Sequence, residues 1–461
     1  KELPWERSNR HEPGVMFMHK QYFMVPEGTS IEMLSPKFWT RRITGQGKRW
    51  LKESELSAFN EELLTNAERT GLERFYRNLE EFPTRVELDS IRAMIGETIP
   101  EGFFTRTLVS PEGEEVPAEI RDDILENATN LMNQDMVLQM GLTTRRTHLR
   151  AMPTDLILVE GFLDNDDLQL TSVSLGSPFV ALARSRDKSW LFVQTRTYRG
   201  WIKGDHVAVA KNRSDVIYYC SGEEFLLACG SRVEIEPDPF LPDTWDLFLQ
   251  MGDRLPLEKP KDVENPHSQG PYGCYAVKIP FRNRKGTLEL RTGLIRASED
   301  VSRGFMKLTT KNVLKQAFKM LGERYGWGGS YNRRDCSRFI QDIYKCFGLE
   351  LPRDSGIQEK LIPSPRIEFT GSAEDREMQL ASLRPGNPLY MPGHTMIYLG
   401  RCDGRFYVIH DGSGYTDRHD RQVSVHGVFV MELSLRTIKS QKSYIELLTS
   451  APEIDKGLLK R

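Results

Sequence analysis

The stretch that most constrains the fold runs from Arg324 to Phe347, RYGWGGSYNRRDCSRFIQDIYKCF. Gly326, Gly328 and Gly329 make a turn-prone run, and Asp335-Cys336-Ser337 follow it. Phe339, Ile340, Ile343, Tyr344 and Phe347 then recur at helical spacing on one broad face. Gly348 stands where glycine stops a helix. The spacing therefore predicts a core-facing helix with Cys336 in its first turn. Unsatisfied N–H groups and the positive dipole end at that position favour a thiolate, the form of cysteine that attacks carbonyls. A buried structural cysteine is the competing reading of this stretch alone.

Two later segments shift the balance. Residues 389–400 (LYMPGHTMIYLG) and 405–410 (RFYVIH) read as short strands around a turn at Asp403-Gly404. His394, Met396 and Tyr398 share one face of the first, and Phe406, Val408 and His410 one face of the second. A hairpin would set His394 beside His410. If the Cys336 helix packs on that face, a thiol, a base and an orienting group meet, which is the logic of thiol hydrolases.

At these residues the chain resembles the NlpC family of bacterial cell-wall cysteine peptidases. The pieces that carry the resemblance are Tyr325 to Gly329, Asp335-Cys336-Ser337, Leu351-Pro352-Arg353-Asp354-Ser355, Gly393-His394 through Leu399-Gly400, and Ile409-His410. Two departures are Asn387, where the family usually has aspartate, and Arg338, where glycine is common. Arg338 is expected to point away from the cleft. The resemblance implies a papain-like α+β domain with Cys336 as nucleophile, His394 as general base and His410 orienting it. It also implies an oxyanion site at the Cys336 backbone N–H, with Tyr325 nearby, and no cofactor or metal.

The implied substrate is a peptidoglycan-derived muropeptide, cut between γ-D-glutamate and the following diamino acid when L-alanine has a free amino terminus. Asp335 is then expected to hold the ammonium, or to cap the helix, or both. Ser337, Asp354 and Ser355 match substrate-side positions. Arg353 is read as a surface partner of Asp354, in a pair worth little. Two other readings compete. One is an acyltransferase or amidase on the same core. The other is a catalytically inert wall-binding protein.

The 461 residues carry 39% hydrophobic and 28% charged side chains, with a net charge of -2. Three domains of ordinary size fit that length. The charge balance offers nothing to nucleic acid, and no apolar run approaches the roughly 18 residues of a membrane span. The chain starts at Lys1, which fits a mature product with a signal peptide removed. The expected location is the cell envelope, periplasmic or secreted, with cytoplasmic muropeptide recycling as the alternative. Cys220, Cys229, Cys274, Cys336, Cys346 and Cys402 are too scattered to form a disulfide framework. No CxxC or HExxH pattern occurs. Cys336, His394 and His410 could together ligate a metal, but thiol–base chemistry is the preferred reading.

Four regions are expected. Residues 1–140 read as a helical bracing region. Leu56, Phe59, Leu63 and Leu64 form one apolar stripe there, and Ile120, Ile124, Leu125, Ala128 and Met132 another. Residues 141–212 read as a small barrel, with Phe179–Ala183, Trp190–Thr195 and Gly200–Val209 as strands. Tyr198-Arg199-Gly200-Trp201-Ile202 resembles the Gly-Trp strand of bacterial SH3 domains. Trp190 and Trp201 are expected in its core and Tyr198 in an exposed, substrate-facing role. Residues 213–306 suggest a second SH3-like barrel, swollen by a Pro- and Asp-rich surface loop at 240–269. Residues 307–461 form the catalytic domain, with a first helix expected over Asn312–Arg324.

Overall fold

The computed structural model describes residues 24–103, 105–131, 137–159, 165–259, 261, 263, 270–440 and 442–459. The first 140 residues contribute four α-helices among those described: α1 (Pro36–Thr40), α2 (Glu53–Arg69), α3 (Leu88–Gly96) and α4 (Ala118–Thr129). Ser35 caps α1 by accepting the Lys37 N–H, with Pro36 at the first helical position. Phe59 and Leu63 of α2 are fully buried in the same core as Phe339, Ile340 and Ile343. This helix therefore braces the C-terminal domain directly. In α4, Ile124 and Ala128 are buried while Ile120 stays 45% exposed. The stripe engages one turn later than the spacing predicts, and Met132 lies outside the described residues.

Seven antiparallel strands follow: β1 (Gln139–Thr143), β2 (Thr147–Arg150), β3 (Gln169–Val173), β4 (Pro178–Arg184), β5 (Trp190–Thr195), β6 (Arg199–Lys203) and β7 (Val207–Val209). They join in the order β3-β2-β6-β5-β4-β1-β7. Residues of β5 alternate between two cores. Leu191 and Val193 face one with Phe179 and Ile202, and Trp190 and Phe192 face the other with Trp201.

The next region opens with α5 (Arg213–Ser221). Seven short strands then form three small sheets: β9 (Arg232–Glu234) with β10 (Phe248–Gln250); β8 (Phe225–Ala228) between β11 (Arg254–Pro256) and β14 (Val301–Arg303); and β12 (Cys274–Arg282) with β13 (Leu288–Arg296). The segment expected as a surface loop over 240–269 is only partly that. Its Leu247, Leu249, Met251 and Leu255 are buried and carry β10 and β11. The Pro and Asp content hides that short apolar alternation.

The C-terminal domain holds helices α6 (Thr310–Phe318), α7 (Cys336–Lys345), α8 (Ser355–Leu361), α9 (Ala373–Ser382) and α10 (Tyr444–Leu447). Its strands are β15 (Arg366–Glu368), β16 (Pro388–Met391), β17 (His394–Cys402), β18 (Arg405–Thr416), β19 (Gln422–Glu432) and β20 (Ser450–Pro452), in the sheet order β15-β20-β16-β17-β18-β19. The first helix is shorter than expected and ends at Phe318; Gly322 then turns the chain at φ 83°. The expected strand over 389–400 is two strands. Gly393 at φ 71° closes a tight hairpin that sets Met391 opposite His394.

The sheet has an apolar core on each side. Met396, Tyr398, Phe406 and Val408 pack with Leu380 of α9 and Tyr444 of α10. Ile397, Leu399, Tyr407 and Ile409 pack with Phe339, Ile340 and Ile343 of α7. The Cys336 helix therefore lies on the face opposite the one the histidine periodicity suggested.

Candidate active site

Cys336 opens α7 as expected. Asp335 is the N-cap, its Oδ1 accepting the Arg338 N–H at 2.9 Å. The thiol meets the histidine strand at its end rather than across its face. The Thr395 backbone N–H donates to Sγ, which brings the sulfur beside the first residue of β17. There the pleat no longer separates the two sides of the sheet. The His394 Nε2 and His410 Nδ1 atoms lie 2.7 Å apart. His410 is fully buried and its Nε2 has no partner among the described residues. Its ring packs on Phe429, with centroids 4.3 Å apart.

This contact limits the tautomers. If His394 donates from Nε2 to His410, its Nδ1 is left free to accept a proton from a thiol. Among the described residues no hydrogen bond joins Sγ to the His394 ring.

The expectation of a thiolate is corrected by the surroundings. Burial pushes the Cys336 thiol well up, and the carboxyls of Asp335 and Asp411 push the same way, against the Thr395 N–H and Arg353. Burial also lowers His394 to about 4. His410 is driven well below its ordinary value by burial and by the His394 ring. Both directions favour a neutral thiol and a neutral imidazole at rest, with the proton moving during attack. Labelling of Cys336 with iodoacetamide is therefore expected to be slow near pH 7 and to accelerate into the alkaline range. His394→Ala should leave that profile in place while removing turnover. A fast neutral-pH phase that disappears in His394→Ala would show a thiolate–imidazolium pair instead. Turnover should fall as pH drops toward about 4 and His394 takes up a proton.

The acidic residues sort themselves differently from expectation. Arg353 does not pair with Asp354. It is buried, 2.5 Å from Asp335 Oδ2 and 2.8 Å from Oδ1, and it also donates to the Ser337 hydroxyl. Ser337 donates to Asp335 at 2.9 Å and accepts the Asp354 N–H at 3.2 Å. Burial raises the Asp335 carboxyl, and Arg353, with the Arg338 N–H and Ser337, outweighs it and holds the group below the usual range. Asp354 is exposed, sits at φ 70°, and caps α8 through the Ile357 N–H at 3.1 Å; Ser355 follows, buried, as the first helical residue. Tyr198 of the seven-stranded unit reaches this end, where its hydroxyl feels Asp354, Arg353 and Asp335. Its ring packs edge-on against Phe75 at 5.3 Å. Tyr325 lies on the other side, held by its N–H to His426 O at 3.0 Å, and its hydroxyl feels Cys336, Asp335 and Asp411.

The first β unit is wired into this site. Gly328 and Gly329 adopt φ 55° and 85°, and a Cβ on either would strike Gln169 or Ser172 of β3. Gln169 Nε2 donates to Gly328 O at 2.9 Å, and Arg353 Nε to Thr171 Oγ1 at 3.1 Å. Arg338 points away from the cleft to Ser172 O at 3.3 Å and Ser174 Oγ at 3.0 Å. Asn387 is buried and donates to Asp455 at 2.5 Å, so the departure at this position keeps a polar anchor.

Asp411 went unnoticed in the sequence. It follows His410, so the strand period turns it to the other face, toward α7. It is fully buried, and neither carboxyl oxygen has a partner among the described residues. Burial, Asp335 and Glu323 push it well up against Arg334, which favours the neutral acid. An acid kept neutral by the fold costs stability once the unfolded chain ionises, above about pH 3.9. Asp411→Asn should therefore raise Tm by a few degrees near neutrality, with a gain that grows from about pH 4 upward. A pH-independent difference would show that Asp411 is already ionised.

Residues 322–425 match the NlpC/P60 family. The C-terminal unit is an NlpC/P60 domain. Residues 161–203 match the SH3 domain of SH3b1 type, so the seven-stranded unit contains an SH3b domain. Whole-chain comparison agrees on the fold. The chain is similar to an NlpC/P60 endopeptidase from Photobacterium damselae subsp. piscicida, with a TM-score of 0.71 and 16% identity over 91% of this chain and 97% of that one. NlpC2 of Trichomonas vaginalis is 14% identical, covering 66% of this chain and 98% of its own, with a TM-score of 0.24. NlpC1 of the same organism is 13% identical over 67% and 95%, also at 0.24. No curated protein matches the sequence. The NlpC/P60 domain supports a cysteine endopeptidase acting on the cell wall. Among the described residues no cluster fit for a metal occurs, and no helix is long and apolar enough to cross a membrane.

Proposed function

We propose that this protein hydrolyses peptidoglycan stem peptides between γ-D-glutamate and the following L-diamino acid, lysine or meso-diaminopimelate. We place it in the cell envelope and assign it a preference for a free N-terminal L-alanine. The observation that supports this reading is the His394–His410 contact at the strand end where Thr395 meets the Cys336 sulfur. His394 Nδ1 takes the thiol proton as Sγ attacks the γ-carbonyl of D-glutamate. The oxyanion develops beside the Cys336 backbone N–H and Tyr325. Collapse breaks the amide, and the leaving amine takes the proton from His394. Water, deprotonated by His394, then cleaves the thioester.

Asp335 has already given its charge to Arg353, so ammonium recognition passes to Asp354, which faces Tyr198 with no ion pair among the described residues. Ser337 and Ser355 stand beside it at the substrate end. Steady-state kinetics on L-Ala-γ-D-Glu-diaminopimelate and its N-acetylated form test the assignment. Wild type should favour the free amine by at least about tenfold, roughly 1.4 kcal/mol, and Asp354→Asn should lose most of that preference. Equal cleavage of both peptides by wild type would sink it. Mass spectrometry of the products, with an added amine acceptor, separates hydrolysis from acyl transfer.

A further inference from the structure

A depression of about 300 Å3 lies at the far end of β17, between that strand and the chain following α1. Arg401 is seven residues beyond His394, about 23 Å along an extended strand, so this site is separate from the catalytic one. Its floor is apolar, with Trp39 and Leu399, and its rim carries Arg42, Arg384 and Arg401. No carboxylate lines it.

The three guanidinium groups are held without being neutralised. Arg384 donates from Nε to Thr310 Oγ1 at 2.9 Å and from Nη2 to Gly45 O at 2.7 Å. Arg42 donates to Phe38 O at 2.7 Å and stacks 3.6 Å from the Phe38 ring centroid. Arg401 lies over Phe406. Among the described residues neutral oxygens and aromatic faces fix these side chains, no carboxylate pairs with them, and each guanidinium keeps N–H donors without a partner. The nearest acid along the chain, Asp403, contacts the Cys402 thiol that Arg42 also approaches, and it makes no ion pair with Arg42 among the described residues. Most arginines on a folded surface are simply solvated or paired with a nearby carboxylate. Three that converge on one concavity, preorganised and free of acids, are set for a ligand that brings the countercharge.

We propose that this depression binds a tetrahedral phosphate oxyanion, as free phosphate or as a phosphodiester of an anionic polymer. The guanidinium forks hold the oxygens, and the apolar floor accepts whatever the phosphate is attached to. The site does not depend on the peptidase reading. Calorimetric titration with inorganic phosphate and with a glycerophosphodiester, at one fixed low ionic strength, tests it. Saturable binding of one equivalent is expected, weakened at least tenfold in Arg42→Gln and again in Arg401→Gln. Both side chains are exposed, so both variants should keep wild-type Tm and turnover. Cys336→Ala should bind like wild type. Binding of the diester alone would assign the site to a polymer, and binding of inorganic phosphate alone to the free ion. No saturable binding of either, or equal binding by the Arg42→Gln/Arg401→Gln double variant, would overturn the proposal.

Discussion

Replacing Cys336 by alanine is expected to lower peptide hydrolysis by at least about 10⁴-fold in kcat while leaving the fold intact. The sulfur is the only atom the substitution removes. The residue is buried, 8% exposed at the helix start, but losing a single heavy atom opens only a small cavity. The cap that sets the helix belongs to Asp335 and is untouched. What disappears is the one nucleophile beside the His394–His410 pair, and neither imidazole can form the thioester in its place. The other five cysteines are free thiols, and each should be replaceable without comparable loss. Thermal unfolding and turnover measured on the same preparations decide the matter. Wild-type turnover by Cys336→Ala would end the thiol mechanism and, with it, the proposed function.

The largest effect on stability should come from Arg353. Arg353→Met leaves the Asp335 carboxylate buried and without its counter-ion, and breaking such a pair costs about 3–5 kcal/mol. Asp335→Asn, which would be almost neutral if the residue were only a cap, should cost a similar amount by stranding Arg353. The pH dependence follows from the lowered carboxyl. Its contribution is complete above the unfolded value of about 3.9 and is lost as pH falls through the lower folded value. Urea denaturation of wild type and Arg353→Met at several pH values should therefore show a gap that is widest at neutrality, narrows as the stranded Asp335 of the variant takes up a proton, and narrows further below about pH 4 as the wild-type pair is lost. The double variant Arg353→Met/Asp335→Asn should recover part of the loss, since a neutral amide beside an apolar side chain then replaces one stranded charge. A gap under about 1 kcal/mol at neutral pH would mean that the pair is solvated and behaves as a surface bridge.

Much of this site could be read from the chain because its signals are local. The apolar stripe from Phe339 to Phe347, the glycines before it and the aspartate cap fix a helix with Cys336 at its start, and none of them needs a distant partner. The two histidines were visible through strand alternation. What alternation could not supply was the side on which α7 packs, since both faces of β17 and β18 are apolar. The Pro392-Gly393 hairpin, which puts His394 at a strand end, is what lets the thiol reach it from the opposite face. The role of Arg353 is hidden in the sequence for a related reason. Its sequence neighbour is Asp354, whereas its partner Asp335 is brought to it only by tertiary packing. Asp411 was passed over because it stands beside a more conspicuous histidine, and the same period of two that marks His410 turns it inward. The buried half of the 240–269 segment was hidden by its turn-forming residues.

Arg338 and Arg353 of the catalytic domain each donate a hydrogen bond to β3, Arg338 also to Ser174 just after it, and the glycine turn before Cys336 closes against the same strand. The two domains are thus not interchangeable cassettes. A fragment beginning at residue 307 would present two arginine side chains and a bare Gly328-Gly329 backbone to water, and its substrate end would lose Tyr198. Transplanting the catalytic part onto another targeting domain would carry the nucleophile across but not the wall it works against. On the proposed function, variation in substrate preference among proteins of this build is to be sought in β3 and around Tyr198, in a domain that carries neither the thiol nor the histidines.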